Sequence, residues 1–301
     1  MKRDVKYWLA FVAVYCVAHS MMGENFVDHN LVFTPLSRYE CAVTYLFTDP
    51  AKNESYVRGD LVIPETANYV NRLQNIDRDL TVKQIGQKAF YNCKHLTSIE
   101  FPSTLSVIQM WAFEGCSKLQ TISIPSNVSF VASQAFSDCT GLKDAFVDAT
   151  VHNEVFLNCT NLENVTFGKS TQYVLHDCFA NCPNLKSITV KRDNPPITDG
   201  DLFRTASAIY GNSKIDLTRY EEVVLYIPIG TLDKYRADEF WGKFSKIIEK
   251  DFSNVVDIPY NSETGSTIYY NSQGIPSRTP YNGFNIIRDS EGRITKSILY
   301  K

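Results

Sequence analysis

Hydrophobic residues recur along this chain in a pattern that repeats about every 23 residues, and residues 85–102 carry the pattern of one unit. Near the end of this unit, Ile99 and Phe101 are two positions apart, which predicts a short strand with one buried face. Before the strand, hydrophobic residues between positions 89 and 96 have the i, i+3/i+4, i+7 spacing of helical turns. Each unit is therefore predicted to contain a strand and a short helical segment.

The same pattern returns in five consecutive units. Their first residues are Ile85, Ile108, Val131, Val151 and Val174, and a sixth start follows at Ile197. The starts are separated by 23, 23, 20, 23 and 23 residues, and the short unit loses its length between Val147 and Val151, where a connection can absorb the change. One unit cannot bury its own apolar face, so neighbouring units must stack and share a core. The sequence therefore predicts an α/β solenoid with a parallel sheet on one face.

Fragments on both sides of these units extend the organisation. Residues 61–64 and 225–228 repeat the strand-and-proline ending, which makes seven strands in all. The segments 65–84 and 197–222 are irregular, as terminal capping repeats usually are. The predicted divisions are a signal peptide at 1–20, an N-terminal cap with its first strand at 21–81, five repeats of 20–23 residues at 82–192, a degenerate repeat and closing segment at 193–250, and a C-terminal β extension at 251–301.

The N-terminus predicts the compartment. Lys2, Arg3 and Lys6 precede an apolar stretch at 7–18, and Ala18 and Ser20 place small residues where a signal peptidase cuts. The stretch is shorter than the roughly 20 residues that span a bilayer, so we expect no transmembrane helix in the mature chain. The prediction is a secreted or cell-surface protein; an uncleaved, buried first helix is the alternative.

The C-terminal extension carries strand-like runs at 267–270, 285–288 and 296–300, divided by turn-forming residues. This arrangement predicts a small antiparallel sheet. Its role is interpreted as a cap-like structural tail, with a sorting signal as the alternative.

Composition and motifs exclude several classes of function. Thirty basic residues against thirty-three acidic ones give a net charge of −3, so no basic surplus indicates nucleic acid as a partner. The sequence contains no Gly-x-Ser-x-Gly, no His-Glu-x-x-His and no phosphate-binding loop. We therefore predict no enzyme and no cofactor; a carbohydrate-active enzyme stays as a less favoured alternative, because carboxylate pairs can come from distant positions.

Cysteines recur at the repeat period, at Cys93, Cys116, Cys139, Cys159 and Cys182. Their spacing predicts an inner row of small apolar side chains, although adjacent rungs are close enough for a disulfide. His176, Cys178 and Cys182 look like a metal site, but Cys178 occupies the alanine position of the other units and should point into the core. No metal site is predicted.

The order Ile85-Gly86-x-x-Ala89-Phe90-x-x-Cys93-x-x-Leu96-x-x-Ile99-x-Phe101-Pro102 resembles the BspA-type leucine-rich repeat, also called the Treponema-type repeat. The resemblance covers 82–192 strongly, and the segments around 56–64 and 194–247 are similar to the family's first strand and closing segment. It implies a right-handed coil in a secreted or surface-displayed bacterial protein that acts in adhesion, with host matrix among its ligands. Glycine is missing after Val131, Val151 and Val174, and Ala145 replaces a strand aliphatic, so the middle units should be less regular.

The outward side of the predicted sheet is the candidate binding site. If Ile99 and Phe101 point inward, the alternate positions point outward. These positions are Ser98, Glu100, Thr121, Ser123, Asp144, Phe146, Asn164, Thr166, Ser187 and Thr189. The row suits a protein or glycan ligand, and Phe146 is either a contact residue or a cover for the gap left by Ala145. The predicted function is non-enzymatic binding or adhesion; the alternative is a structural or assembly component of a surface complex.

Overall fold

The structure is a computed structural model. It describes residues 25–44, 57–205 and 214–252, together with the backbone of four short strands between residues 268 and 299. The signal peptide predicted at 1–20 lies outside these residues. None of the helices in the described ranges is long and apolar enough to cross a membrane.

Strands dominate the described residues, and helices are few and short. The strands are β1 (Phe26–Asp28), β2 (Leu31–Pro35), β3 (Glu40–Thr44), β4 (Arg58–Val62), β5 (Thr66–Asn71), β6 (Ile76–Ile85), β7 (His95–Glu100), β8 (Val107–Ile108), β9 (Thr121–Ile124), β10 (Phe130–Val131), β11 (Asp144–Val147), β12 (Thr150–Val151), β13 (Asn164–Phe167), β14 (Ser187–Val190), β15 (Val224–Pro228), β16 (Lys246–Lys250), β17 (Ile268–Tyr270), β18 (Pro276–Ser277), β19 (Gly283–Arg288) and β20 (Ile294–Leu299). The helices are α1 (Leu217–Glu222), α2 (Leu232–Arg236) and a single 3₁₀ turn at Trp241–Lys243.

The repeat units stack, as their spacing predicts, and they form two parallel sheets. The longer strands pair in the order β16-β15-β14-β13-β11-β9, and the short strands β8, β10 and β12 extend from β6 as a second parallel row. The second row arises because the first aliphatic residue of each unit is extended and pairs with its counterpart: Ile85 with Ile108, Ile108 with Val131, and Val131 with Val151. The stack is therefore held by backbone hydrogen bonds along two sides.

The middle units are regular, contrary to the expectation from their missing glycines. All four residues of β11 pair in unbroken register with β9 on one side and β13 on the other. The unit of 20 residues is shortened in the connection from β11 to β12, where only Asp148 and Ala149 separate the strands. Removing residues from this connection leaves both parallel pairings intact, as the sequence predicts.

The ends of the stack differ from the sequence prediction. Eight strands rather than seven belong to the longer set, because β16 pairs in parallel with β15. The strands β4 and β7 pair with each other as a separate two-stranded sheet. Before the repeats, β1, β2 and β3 form an antiparallel set, β5 and β6 form a hairpin, and β3 pairs in parallel with β6.

The predicted helical segment of each unit is wrong: no helix occurs within residues 82–192, and turns take its place. Two residues per unit have positive φ, such as Lys88 at 59° and Asn92 at 57°, and a right-handed helix has no such residues. The N–H of Phe90 donates to the carbonyl of Ala112 in the next unit, while the N–H of Cys93 donates three residues back to Phe90. Because alternate N–H groups bind the neighbouring unit, a helix cannot form.

The core of the stack is a column of aromatic rings. Phe90, Phe113, Phe136, Phe156 and Phe179 are each at most 1% exposed. The Phe113 centroid lies 5.0 Å from that of Phe90 and 5.1 Å from that of Phe136, with nearly parallel planes. Phe203 and Tyr220 continue the column towards Phe244 and Trp241 in the closing segment. Each ring is thus buried by the units above and below it.

The repeated cysteines form the inner row that the sequence predicts. All seven cysteines of the described residues are buried free thiols. The Sγ of Cys116 donates to the carbonyl of Phe90 at 3.2 Å, and Cys139 donates to Phe113 in the same way. Cys159 and Cys182 repeat this contact with Phe136 and Phe156. These four thiols therefore link their units to the phenylalanine backbone of the preceding unit.

Native thiols should not react with a disulfide reagent such as dithionitrobenzoate. Only the thiolate is nucleophilic, and burial raises the pKa of all seven thiols, to about 12 for Cys93 and Cys182. We expect negligible release of the coloured anion from folded residues 21–301, which contain seven of the eight cysteines, and full release after denaturation. Rapid modification of folded protein would contradict the burial of this row.

The C-terminal extension is a small antiparallel sheet, as its strand-like runs predict. The strands described in this part of the chain pair in the order β18-β17-β19-β20, and β18 lies between the first two strand-like runs, where the sequence predicts a turn. The pairing of β19 with β20 is antiparallel over six residues of each strand, with Gly283 opposite Leu299 and Arg288 opposite Ile294.

Candidate binding surface

The longer strands align their outward residues in rows. We call the outward positions of β4, β7, β9, β11 and β13 to β16 the outer face. One row runs through Thr121, Asp144, Asn164, Ser187, Val224 and Lys246, and the next runs through Ser123, Phe146, Thr166, Thr189, Tyr226 and Ile248. The residues between them, such as Ile122 and Val165, are buried in the core. The register therefore brings eight of the ten predicted site residues together, and Ser98 and Glu100 lie on β7 beside β4.

The predicted site residues differ in exposure. Glu100 and Asn164 are exposed, whereas Ser98, Thr121, Ser123, Asp144, Thr166 and Ser187 are half-buried. Phe146 and Thr189 retain only 9% of their exposure. The Oγ of Ser123 is buried without a hydrogen-bond partner among the described residues. Thr166 is thus the half-exposed side chain between the two most buried residues of the face.

Polar side chains of the first row are fixed by hydrogen bonds across the strands. The Nδ2 of Asn164 donates to Asp144 Oδ1 at 2.9 Å, and the Ser187 hydroxyl donates to Asn164 Oδ1 at 2.8 Å. Burial raises the pKa of Asp144, and the hydrogen bond from Asn164 partly opposes this shift. Beside this row, Lys186 forms an ion pair of 2.6 Å with Glu163. Such a network holds its polar groups in fixed positions.

The side chain of Phe146 is largely covered by its neighbours. Its register partners are Ser123 and Thr166, and the Lys191 ammonium lies 5.6 Å from its ring centroid. At 9% exposure, Phe146 is a buried residue of the face. This position fits both interpretations made from the sequence, namely a contact residue and a cover for the gap left by Ala145.

Sequence reasoning missed the part of the face formed by β15 and β16. Tyr226 continues the row of Phe146, Ile248 follows it with 47% exposure, and Lys250 lies 5.6 Å from the Tyr226 centroid. The alternation of 224–228 contains the signal for Tyr226, because Leu225 and Ile227 point inward. The signal for β16 is weaker, since only Ile247 of its five residues packs against the core.

Cys178 and His176, which could bind a metal or act in catalysis, lie away from the outer face and contact other residues of the stack. Cys178 donates its thiol to the carbonyls of His152 and Leu175, while His176 Nδ1 contacts Asp199 at 3.0 Å. The histidine and the thiol therefore point to different partners. Among the residues that the structure describes, no group of three metal-ligating side chains converges.

A serine and a histidine also meet on the second parallel row. The Ser133 hydroxyl contacts His152 Nδ1 and Asn153 Oδ1, which joins two successive units. Ser133 is 8% exposed, and burial lowers the pKa of His152. A buried hydroxyl that is held by two neighbours in this way fits an inter-unit contact better than a nucleophile that must reach a substrate.

Comparison with known proteins supports the repeat assignment. A family model described as the BspA type leucine rich repeat region, with six copies, matches residues 62–186 and 148–209. No curated protein matches this sequence. A leucine rich cell surface protein from Faecalibacterium prausnitzii is similar in structure at 17% identity over 91% of this chain and 61% of its own, with a TM-score of 0.45. This chain therefore spans about three fifths of that protein.

Two further solved structures show similarity over part of the chain. The T. pallidum leucine rich repeat protein matches at 19% identity, covering 60% of this chain and 85% of its own, with a TM-score of 0.41. A leucine-rich repeat protein from Bacteroides ovatus matches at 21% identity, covering 56% of this chain and 49% of its own, with a TM-score of 0.39. Because the family model matches all but the ends of the stacked units, the repeat region of this chain belongs to the BspA-type leucine-rich repeat family.

Proposed function

We propose that this protein is a secreted or cell-surface binding protein without enzymatic activity, and that its outer face binds a protein ligand in adhesion. The observation that carries this proposal is the aligned outer face, in which polar rows and a buried aromatic anchor lie on a stack held by two rows of backbone pairing. BspA-type repeat proteins are typically surface proteins, and leucine-rich repeats generally bind proteins. The lysine-rich start and small-residue site at 1–20 support secretion.

The architecture behind this proposal is a right-handed solenoid with a cap, five repeats, a closing segment and an extension, at the boundaries that the sequence predicts. Right-handed crossovers are the rule where one parallel strand follows another in the same sheet. A solenoid of this kind presents an extended, preorganised surface, since each unit is fixed by its neighbours.

The dimensions of the outer face favour a protein ligand over a glycan. The six hydrogen-bonded strands β9, β11 and β13 to β16 are spaced about 4.8 Å apart and span about 24 Å, and the rows on each strand are about 6.7 Å apart. A standard protein interface covers about 800 Å² on each partner, so these rows would form the centre of such an interface and neighbouring surface its margin. Aromatic residues such as Phe146 and Tyr226 are enriched at the centres of protein interfaces, and the polar side chains around them fit the polar rim of an interface. Glycan binding is the alternative outcome of the test.

Replacing Thr166 by arginine should weaken ligand binding at least about tenfold while leaving the fold intact. Thr166 is half-exposed in the middle of the outer face, so a long charged side chain there blocks a close contact at little cost to stability. We would test residues 21–301 and the T166R variant on an array of purified matrix proteins and glycans. The matched control is Q172R, because Gln172 is exposed in the connection between β13 and the second parallel row.

The expected result is that the unmodified chain and Q172R bind the same array proteins, whereas T166R loses at least about tenfold in affinity. Equal binding by T166R and Q172R would place the site away from the outer face. Binding confined to glycans, or to none of the molecules, would contradict a protein-binding function.

A further inference from the structure

Two histidines lie near each other on the second parallel row, in successive repeat units. His152 follows Val151, where one unit begins, and His176 lies two residues after Val174, where the next unit begins. His176 influences the charge of His152, and Asp199 of the following unit influences both rings. This cluster therefore joins three successive units through groups that change their charge near neutral pH.

His152 is fixed in place by the preceding unit. Its backbone N–H donates to the carbonyl of Val131 at 3.0 Å, and its ring packs edge-on against Phe130, with 5.6 Å between the centroids. The Ser133 hydroxyl donates to Asn153 Oδ1 at 2.7 Å, so His152 Nδ1 must donate its own N–H to the Ser133 oxygen, which lies 2.5 Å away. The proton gained on acidification therefore goes to Nε2, and the charge forms on a half-buried ring.

His176 binds the carboxylate of this cluster. Its backbone N–H and its Nδ1 both contact Asp199 Oδ1, at 2.9 and 3.0 Å. The hydrogen bond to Asp199 is the main cause that raises the pKa of His176, and burial opposes it in part. Asp177 and Glu154 act on His176 in the same direction as Asp199. We therefore expect His176 to be charged at a pH at which His152 is still neutral.

The surroundings of His152 have the opposite effect. Burial is the main cause that lowers the pKa of His152, and His176 lowers it further when it is charged. The hydrogen bond with Asn153 and the charge of Asp199 oppose this shift only in part. The second cation of the cluster therefore has to form on a partly desolvated ring, near a first cation that already binds the carboxylate.

We propose that this cluster is an acid-sensitive joint of the repeat stack, in which charging of His152 weakens the contact between the units that begin at Val131 and Val151. The joint lies on the second parallel row and is independent of ligand binding by the outer face. His176 and Asp199 hold each other more strongly as the pH falls, because they form an ion pair. His152 acts in the opposite direction: a histidine whose pKa is lower in the folded than in the unfolded chain contributes stability that is lost as the pH falls below about 6.5, the unfolded value.

The first measurement is an NMR titration of the histidine rings in residues 21–301. Four of the five histidines lie in this range, and the variants H29N, H95N and H176N assign three of the signals, so that of His152 follows by elimination. We expect the pKa of His176 above and that of His152 below the ordinary value of about 6.5. In H176N the pKa of His152 should rise, because the first cation is removed and the charge of Asp199 is left for His152. Equal pKa values for the two rings, or an unchanged His152 in H176N, would overturn the inference.

The second measurement is urea unfolding of H152N at pH 7 and pH 5. Asparagine keeps an N–H donor for Ser133 and cannot become charged. The matched control is H95N, because His95 lies on β7 among the longer strands. Over this interval, the unfolding equilibrium constants of the unmodified chain and of H95N should rise about threefold or more relative to that of H152N. The same pH dependence in H152N as in the unmodified chain would mean that His152 does not respond to acid.

Discussion

Replacing Phe113 by alanine should lower the free energy of unfolding by roughly 3–5 kcal/mol. Phe113 has no exposed surface, and its ring is stacked between Phe90 and Phe136 with Phe101 at its edge, 5.9 Å away. The substitution removes these contacts and leaves a cavity in the middle of the column. Because each unit is supported by its neighbours, we expect the adjacent units to unfold with it. Urea unfolding followed by circular dichroism measures the change.

The matched control is Phe240→Ala near the end of the stack. Phe240 is half-buried and contacts Lys243, so its loss should cost less than about 1.5 kcal/mol. Similar midpoints for the two variants would show that the aromatic column does not carry the stability of the repeats.

Burial of this column could be predicted from the sequence, whereas the local backbone could not. A phenylalanine that recurs every 23 residues must lie above the previous one if the units stack, whatever conformation the backbone takes. The helical spacing around it was misleading because the same i, i+3/i+4 pattern also fits a turn that points two side chains inward. Whether a helix or a turn forms depends on backbone N–H groups such as that of Phe90, which donates to a carbonyl of the next unit. The sequence of one unit does not contain this acceptor.

The positions of the outer-face residues could also be predicted in part from the sequence. Alternation around Ile122 and Val165 placed the outward rows correctly on β9, β11 and β13, because a buried aliphatic fixes the phase of a short strand. The low exposure of Phe146 could not be predicted, since it depends on neighbours in other units and on Lys191 after β14. Strand β16 was missed because its pattern is almost entirely exposed, and only pairing with β15 defines it.

Replacing Arg204 by alanine should lower the free energy of unfolding by about 2–4 kcal/mol at neutral pH. Breaking a fully buried ion pair costs about 3–5 kcal/mol, and we expect a smaller loss because Arg204 is partly exposed. The Arg204 Nε donates to Asp177 Oδ1 at 2.6 Å, with 27% of the arginine side chain and none of the aspartate exposed. Asp177 Oδ2 is also buried without a partner among the described residues. Removing the guanidinium leaves a buried carboxylate with no compensating charge. Thermal or urea unfolding of the variant measures the loss.

The dependence of this loss on pH distinguishes charge from packing. Burial raises the pKa of Asp177 above its usual value, Arg204 opposes the shift, and removing Arg204 must therefore raise the pKa further. The carboxylate is charged and destabilising above this pKa, so the difference between R204A and the unmodified chain should shrink as the pH falls towards 4. Asp177→Asn in the R204A background should restore most of the stability at neutral pH, because asparagine keeps the shape, carries no charge and tolerates the φ of 59° at this position. A deficit that persists at low pH and in the double variant would mean that Arg204 acts through the packing of its side chain.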